Sequence, residues 1–212
     1  QRRESADIYM TTLFESISPR PLADRLRPQK LTDVVGQNHL LGNGCPIDRM
    51  VVSKNLTSII LWGPPGTGKT SIARLLADNT NLHFETLSAV FSGVQELRNV
   101  FKIAKQMRKI GRGTLLFIDE IHRFNKSQQD GFLPFVEDGT VILVGATTEN
   151  PSFELNTALL SRTQVLVLNR LDDPSLEELL IRVEKDIDTP LNLDKDARIA
   201  LRAMADGDGR YL

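Results

Sequence analysis

Apolar and polar positions alternate along this chain with two distinct periods. Short continuous apolar runs occur at Ile59-Ile60-Leu61-Trp62, at Leu115-Leu116-Phe117-Ile118, in Thr140-Val141-Ile142-Leu143-Val144 and in Gln164-Val165-Leu166-Val167-Leu168, while Phe84-Glu85-Thr86-Leu87 reads as a further short strand. Runs of that length without alternation predict strands covered on both faces. Between them the period lengthens to that of a helix. Ile72, Leu75 and Leu76 share one face of a segment from Lys69 to Asn79, and Val94, Leu97, Phe101 and Ala104 share one face over residues 94–109. Five strands alternating with helices predict an α/β fold with a five-stranded parallel sheet flanked by helices. The first strand is expected at the centre of that sheet. Shorter helical patterns are expected from about Gln37 and over Asn156–Arg162.

The texture changes after the last strand. Asp173-Pro174 reads as a cap followed by proline at the first helical position. Leu176, Leu179, Leu180 and Val183 then follow helical spacing, and a second helix is expected from Asp194 to Asp206. The division is therefore a polar, flexible lead over residues 1–18, an α/β core over 19–170 and a small helical lid over 171–212. The lid pattern breaks off at Leu212, so the lid is expected to be incomplete.

Within this frame Gly63-Pro64-Pro65-Gly66-Thr67-Gly68-Lys69-Thr70 matches G-x-x-x-x-G-K-[ST], between an apolar strand and a helix start. Glycines let successive N–H groups turn inward toward phosphate oxygens, and the helix adds its positive dipole end. Lys69 is expected to reach the β- and γ-phosphates of ATP, Thr70 to hold Mg²⁺, and Ser71 to complete the loop. Asp119-Glu120 closes the third apolar run. Asp119 is expected to share the metal, and Glu120 to take a proton from the attacking water. Thr148, after the fourth run, is either a γ-phosphate contact or a strand-end cap. All three polar signals fall at carboxyl ends of strands, where open parallel sheets bind ligands.

Composition adds limits. The 212 residues are 41% hydrophobic and 25% charged with a net charge of −1, an ordinary globular balance that leaves any nucleic-acid surface to local clustering. Arg98, Lys102, Lys105, Lys109 and Arg112 form such a cluster, readable equally as a solvated face or a nucleic-acid contact. Cys45 is the sole cysteine, which excludes an internal disulfide and a cysteine zinc site. His39, His83 and His122 have no metal-ligand spacing; His122, just after the acidic pair, is open between a contact near the site and packing. No apolar run is long enough to span a membrane and no secretory signal is present, so an intracellular compartment is expected.

The loop 63–70, Leu115–Glu120, Gly145-Ala146-Thr147-Thr148-Glu149-Asn150 and Leu160-Ser161-Arg162 resemble an AAA+ ATPase of the clamp-loader clade. The longer strings Phe117–Asp130 and Ala146–Phe153 resemble the replication-associated recombination protein A family, with its eukaryotic relative the Werner-helicase-interacting protein. The resemblance covers about residues 20–212. It implies a segment around adenine at Arg25, Pro28, Val35, Gly36 and Gln37, a γ-phosphate sensor at Thr148, an arginine finger for a neighbouring subunit at Arg162, and a lid sensor at Arg210. It also implies ATP hydrolysis coupled to DNA at stalled or gapped forks, with single-stranded, duplex-end or forked DNA as partner. Helix starts facing a central pore, near Ser92-Gly93 and at Arg123, Lys126 and Ser127, would track that DNA. Replication and repair proteins, and tetramers formed through a further C-terminal region, are implied partners, in the cytoplasm and nucleoid of a bacterium or the nucleus of a eukaryote. A nucleotide-gated binding module with little turnover and a branch-migration motor are the alternatives.

Overall fold

The computed structural model describes residues 21–212; the lead over residues 1–18 lies outside them. In chain order the elements are α1 (Leu22–Arg25), α2 (Asn38–Leu41), α3 (Pro46–Val52), β1 (Ile59–Trp62), α4 (Lys69–Asn79), β2 (His83–Ser88), α5 (Val94–Lys109), β3 (Thr114–Asp119), α6 (Lys126–Asp130), α7 (Leu133–Glu137), β4 (Ile142–Thr147), α8 (Pro151–Glu154), α9 (Thr157–Leu160), β5 (Gln164–Val167), α10 (Asp173–Ile187) and α11 (Lys195–Ala205). All pairings are parallel, and the sheet order is β2-β3-β4-β1-β5.

The strands divide their side chains by parity, as a pleated strand must. Ile59, Leu61, Leu115 and Phe117 join one core with Ile72 and Leu76 of α4 and Ile47 and Met50 of α3. Ile60, Leu116 and Ile118 join the other with Leu97 and Phe101 of α5 and Phe132. Leu115 to Ile118 are at most 1% exposed, each side chain contributing roughly 1.5–3 kcal/mol of transfer free energy. This double burial is why β1, β3 and β4 read as unbroken apolar runs, whereas in the edge strand β2 only Leu87 is buried.

Several expectations need correction. β1 is not central; β4 is, and β1 lies between β4 and the edge strand β5. β5 is covered on one face only: Leu166 is buried while Val165 and Val167 are 38% and 45% exposed. Val94 begins α5 as expected but is 53% exposed, while Leu97, Phe101 and Ala104 of the same face are buried. The fourth strand starts at Ile142 and runs on through Thr147. The helix from Gln37 stops after one turn at Gly42 and resumes at Pro46. The pattern over 156–162 is a single turn, Thr157–Leu160, capped by the Asn156 side chain accepting from Leu159 N–H at 2.7 Å. Arg123 ends a 3-10 turn, Ile121–Arg123, rather than starting a helix, whereas Lys126 and Ser127 do open α6.

The lid is the α10–α11 pair. The cap of α10 is Asp172, not Asp173, and it accepts from Ser175 N–H at 3.0 Å, which places Pro174 one position later than expected. Arg198 of α11 bridges Glu177 and Glu184 of α10 at 2.7 Å each. These carboxylates stabilise the guanidinium charge and push its pKa upward. Leu171, Leu176 and Ala205 form a small core of their own, against which Val35 packs.

Candidate nucleotide site

The loop after β1 is held from both sides. Gly63 N–H donates to Thr147 O of β4 at 3.1 Å, and Leu168 N–H, after β5, donates to Trp62 O at 2.7 Å. Gly66 and Gly68 have φ of +68° and +96°, the left-handed region that glycine adopts without a Cβ penalty. Gly68 caps α4, so the helix N-terminus opens directly behind the loop. Pro64 and Pro65 flank this turn, and Thr67 Oγ1 closes it by donating to Pro64 O at 2.9 Å.

Lys69 is buried, and its Nζ donates to Gly63 O and Pro64 O at 2.7 Å each. Burial lowers its pKa, while the carboxylates of Glu120 and Asp119 work in the opposite direction. The ammonium therefore sits in the field of the acidic pair that ends β3. Thr70 and Ser71 follow in the first turn of α4, each partly exposed. The cradle suits a nucleotide phosphate: left-handed glycines, a lysine and a helix N-terminus converge on one curl. Thr70 and Asp119 are the groups on either side that would hold Mg²⁺, by a hydroxyl and one carboxylate, which is donor chemistry suited to that ion.

Glu120 leaves the strand in left-handed backbone, φ 52° and ψ 46°, which costs a non-glycine residue on the order of 1–3 kcal/mol. Its Oε2 is 3.3 Å from Nδ1 of His122 and 3.5 Å from Thr148 Oγ1, the latter at the outer limit of a hydrogen bond. His122 Nδ1 is also 2.9 Å from Oγ1 of buried Thr147. The sequence pattern placed Thr147 and Thr148 together at this strand end but gave a role to Thr148 alone.

The lid tip lies on the loop. Gly209 N–H donates to Gly66 O at 3.3 Å. The Asp208 carboxylate is so close to Gly66 that a Cβ there would lie 1.7 Å from Oδ1. Asp208 and Arg210 both enter the field around Lys69 with opposite effects on its pKa. Arg210 itself is exposed, its N–H donating to Asp208 Oδ1 at 2.8 Å.

The segment expected around adenine lies against the lid. Gln37 is fully buried, and its side-chain amide clasps the Asn169 backbone, donating to O at 2.8 Å and accepting from N–H at 3.1 Å. It thus ties this segment to the passage from β5 into the lid. Gly36 sits against Leu171 and Ser175. Arg25 is ion-paired with Asp186 near the end of α10, and Pro28 is half-buried. Arg162 is remote from this cluster and pairs with Glu137 at 2.5 Å. Of the basic residues expected at DNA, Lys126 Nζ donates to Glu154 O at 3.0 Å, while Arg123 and Ser127 are exposed. Among the described residues no group of three or more His, Cys, Asp or Glu could hold a metal ion, and no helix is long and apolar enough to cross a membrane.

Residues 59–171 match the family model of the ATPase family associated with various cellular activities (AAA). The chain is 48% identical over 202 residues to the replication-associated recombination protein A of Escherichia coli K12, covering 93% of this chain and 45% of that protein. It is 45% identical over 203 residues to the ATPase WRNIP1 of Dictyostelium discoideum, covering 94% of this chain and 23% of that one. The chain thus spans less than half the length of these curated relatives. Among solved structures, the RuvB Holliday junction branch migration motor of Thermotoga maritima superposes with a TM-score of 0.70 at 27% identity, over 88% of this chain and 62% of the other. With its phosphate loop, its acidic strand end and its five-stranded parallel sheet, this chain belongs to the AAA family of ATPases and is similar over most of its length to replication-associated recombination protein A.

Proposed function

We propose that the protein is a Mg²⁺-dependent, DNA-stimulated ATPase that acts on DNA during replication-fork maintenance and recombination. The observation that carries hydrolysis is electrostatic. The ammonium of Lys69, on the phosphate loop, is within the field of Asp119 and Glu120, although the two elements are 50 residues apart. In this reading the loop from Gly63 through Ser71 holds the triphosphate, Lys69 neutralises its terminal phosphates, and Thr70 and Asp119 hold the metal. The bound metal would offset charge on the β- and γ-phosphates. Glu120 accepts the proton of the attacking water, and Thr148 senses the γ-phosphate. Arg25, Pro28, Val35, Gly36 and Gln37 border the adenine, and Arg210 approaches the phosphates from the lid. Gln37 and Arg25 would act there by holding the lid, through Asn169 and Asp186, rather than by touching the base.

The DNA part rests on the relatives, whose names tie them to replication, recombination and Holliday-junction migration. Arg123, Lys126 and Ser127 are the contacts proposed for it, in a homo-oligomer. The likeness to RuvB supports a second reading, a branch-migration motor; the 48% identity to the recombination protein favours the first.

The test is the ATPase rate of wild type and Glu120→Gln, with and without single-stranded, duplex-end and forked DNA. Glu120→Gln should bind ATP normally and lose about 10²–10⁴-fold in turnover, because an amide cannot take up the proton. Wild-type turnover in that variant removes Glu120 as the base. An unchanged wild-type rate with every DNA removes DNA stimulation. Replacing Arg123 and Lys126 together by alanine should weaken DNA binding and flatten its salt dependence.

A further inference from the structure

The basic stripe noted in the sequence has no part in the nucleotide site. It borders a groove of about 760 Å³ between α5 and the α6–α7 pair, and no residue of the phosphate loop lines it. Leu97, Phe101 and Phe135 form an apolar floor, continued by the exposed side of Val94. Arg98, Lys102, Lys105 and Lys109 stand along one wall, all exposed, and the lining contains no acidic residue. None of the four is ion-paired among the described residues.

The stripe alone is compatible with nucleic acid, but the floor argues against it. Single strands bind by stacking bases on open aromatic faces. Here the rings cover one another: Phe101 and Phe135 are stacked at 3.7 Å between centroids and 9° between planes, and Phe101 and Phe132 meet edge to face. Lys105 Nζ lies 5.1 Å from the centroid of Phe135. With Phe101 buried and Lys105 over Phe135, neither ring stands open to a base. What the groove offers is apolar depth with cations around it. Its complement is a large apolar side chain flanked by carboxylates.

We propose that this groove docks an acidic peptide segment of a partner protein, with one or two large apolar side chains seated over Leu97 and Phe101 among carboxylates that meet Arg98, Lys102, Lys105 and Lys109. Charge complementarity selects the occupant: a purely apolar peptide would leave four cations desolvated, and a purely acidic one would leave the floor wet. The spacing sets its length. The wall from Arg98 to Lys109 rises about 16 Å along the helix, roughly five residues of extended chain. This inference stands apart from the nucleotide site; of the proposed DNA contacts, Arg123 and Lys126 lie outside the groove's lining, and Ser127 lies at its rim.

The experiment is fluorescence anisotropy on the full chain. The probe is a labelled peptide of glutamates flanking a central Trp-Leu pair. Controls are the same peptide with Ala-Ala at the centre, the same peptide with glutamines for glutamates, and a labelled single-stranded oligonucleotide. Saturable binding is expected, about tenfold weaker for either control peptide and for Lys102→Glu/Lys105→Glu, and falling as salt is raised. Val94→Asp should weaken the peptide by a similar factor through the floor. ATP turnover of the charge-reversed variant should match wild type, which shows that it is folded. The proposal is overturned by no saturable peptide binding, by equal binding of the Ala-Ala control, or by charge reversal that lowers oligonucleotide binding and leaves the peptide unaffected. The last result would assign the groove to nucleic acid.

Discussion

Oγ1 of Thr147 lies 2.9 Å from Nδ1 of His122, and that nitrogen is 3.3 Å from the carboxylate of Glu120. Thr147 also accepts the Glu149 N–H at 3.0 Å and can donate to Glu149 O at 3.2 Å. Nδ1–H of His122 is then free to donate to both Thr147 and Glu120. The end of β4 is thereby joined to the acidic end of β3 through one imidazole, and the side chain of the proposed base is steadied despite its left-handed backbone. His122→Ala should lower ATP turnover by about fivefold or more, since a misplaced base loses at least the ~1 kcal/mol of one hydrogen bond. Nucleotide binding should change little. His122→Asn, which retains a donor near the same position, should recover part of the rate. Steady-state turnover beside a nucleotide titration checks all three.

Gly66 meets the lid with no room for a methyl group. Its Cβ would fall 1.7 Å from Asp208 Oδ1 and 2.8 Å from Gly209 N, at a φ of +68°. Gly66→Ala should destabilise the chain by about 1–3 kcal/mol, from left-handed strain and displacement of the lid tip. Asp208→Ala in the same chain removes the worst overlap and should restore part of the loss, while the backbone strain remains. Thermal melts of the two single variants and the double variant measure the coupling. Simple additivity would mean that the lid tip does not rest on the loop in solution.

Lys69 supplies a pH signature. Burial makes its folded form release a proton more readily than the ordinary 10.5 of the side chain. In the window just below that value the unfolded chain therefore holds more protons, and stability rises with pH there. The cost of burying the charge is fully present at lower pH and is relieved as pH climbs through the folded pKa. Lys69→Met should remove this rising component from the stability curve and abolish nucleotide binding. Chemical denaturation of both proteins from pH 7 upward provides the check, and matching slopes would refute the assignment.

Arg162 stands at the wrong end of the sheet for its own nucleotide. It precedes Gln164, which pairs with Ile59 at the start of β1, whereas the phosphate loop follows Trp62 at the other end, roughly 13 Å along the strands. Its partner Glu137 is half-exposed, so the ion pair contributes no more than about 1 kcal/mol to folding. Arg162→Ala should fold and bind ATP normally. If the residue serves a neighbouring subunit, turnover in the full-length assembly should fall by ~10³–10⁵. Mixing it with Lys69→Ala subunits should return some activity, because certain sites then combine an intact loop with an intact arginine. Glu137→Ala should leave the rate unchanged. Full activity of Arg162→Ala alone would end the trans assignment.

The sequence by itself determined whatever depends on neighbours along the chain. The apolar runs of β1, β3 and β4, covered on both faces, the 94–109 helix, the glycine-rich turn between a strand and a helix, and the Asp119-Glu120 strand end are all local patterns, and each is found in the fold. The order of the strands was not legible, because parity of side chains says that a strand is covered and not which strand covers it. β1 was therefore expected at the centre and lies beside the edge. The same limit hid the contacts that close the site. Asp208 reaches Gly66 and Gln37 clasps Asn169 across more than a hundred residues of chain, and His122 joins two strands that only the sheet makes adjacent. Such contacts exist because burying both faces of the sheet and docking the lid brings distant segments within hydrogen-bonding range, and no local periodicity encodes which atoms then meet.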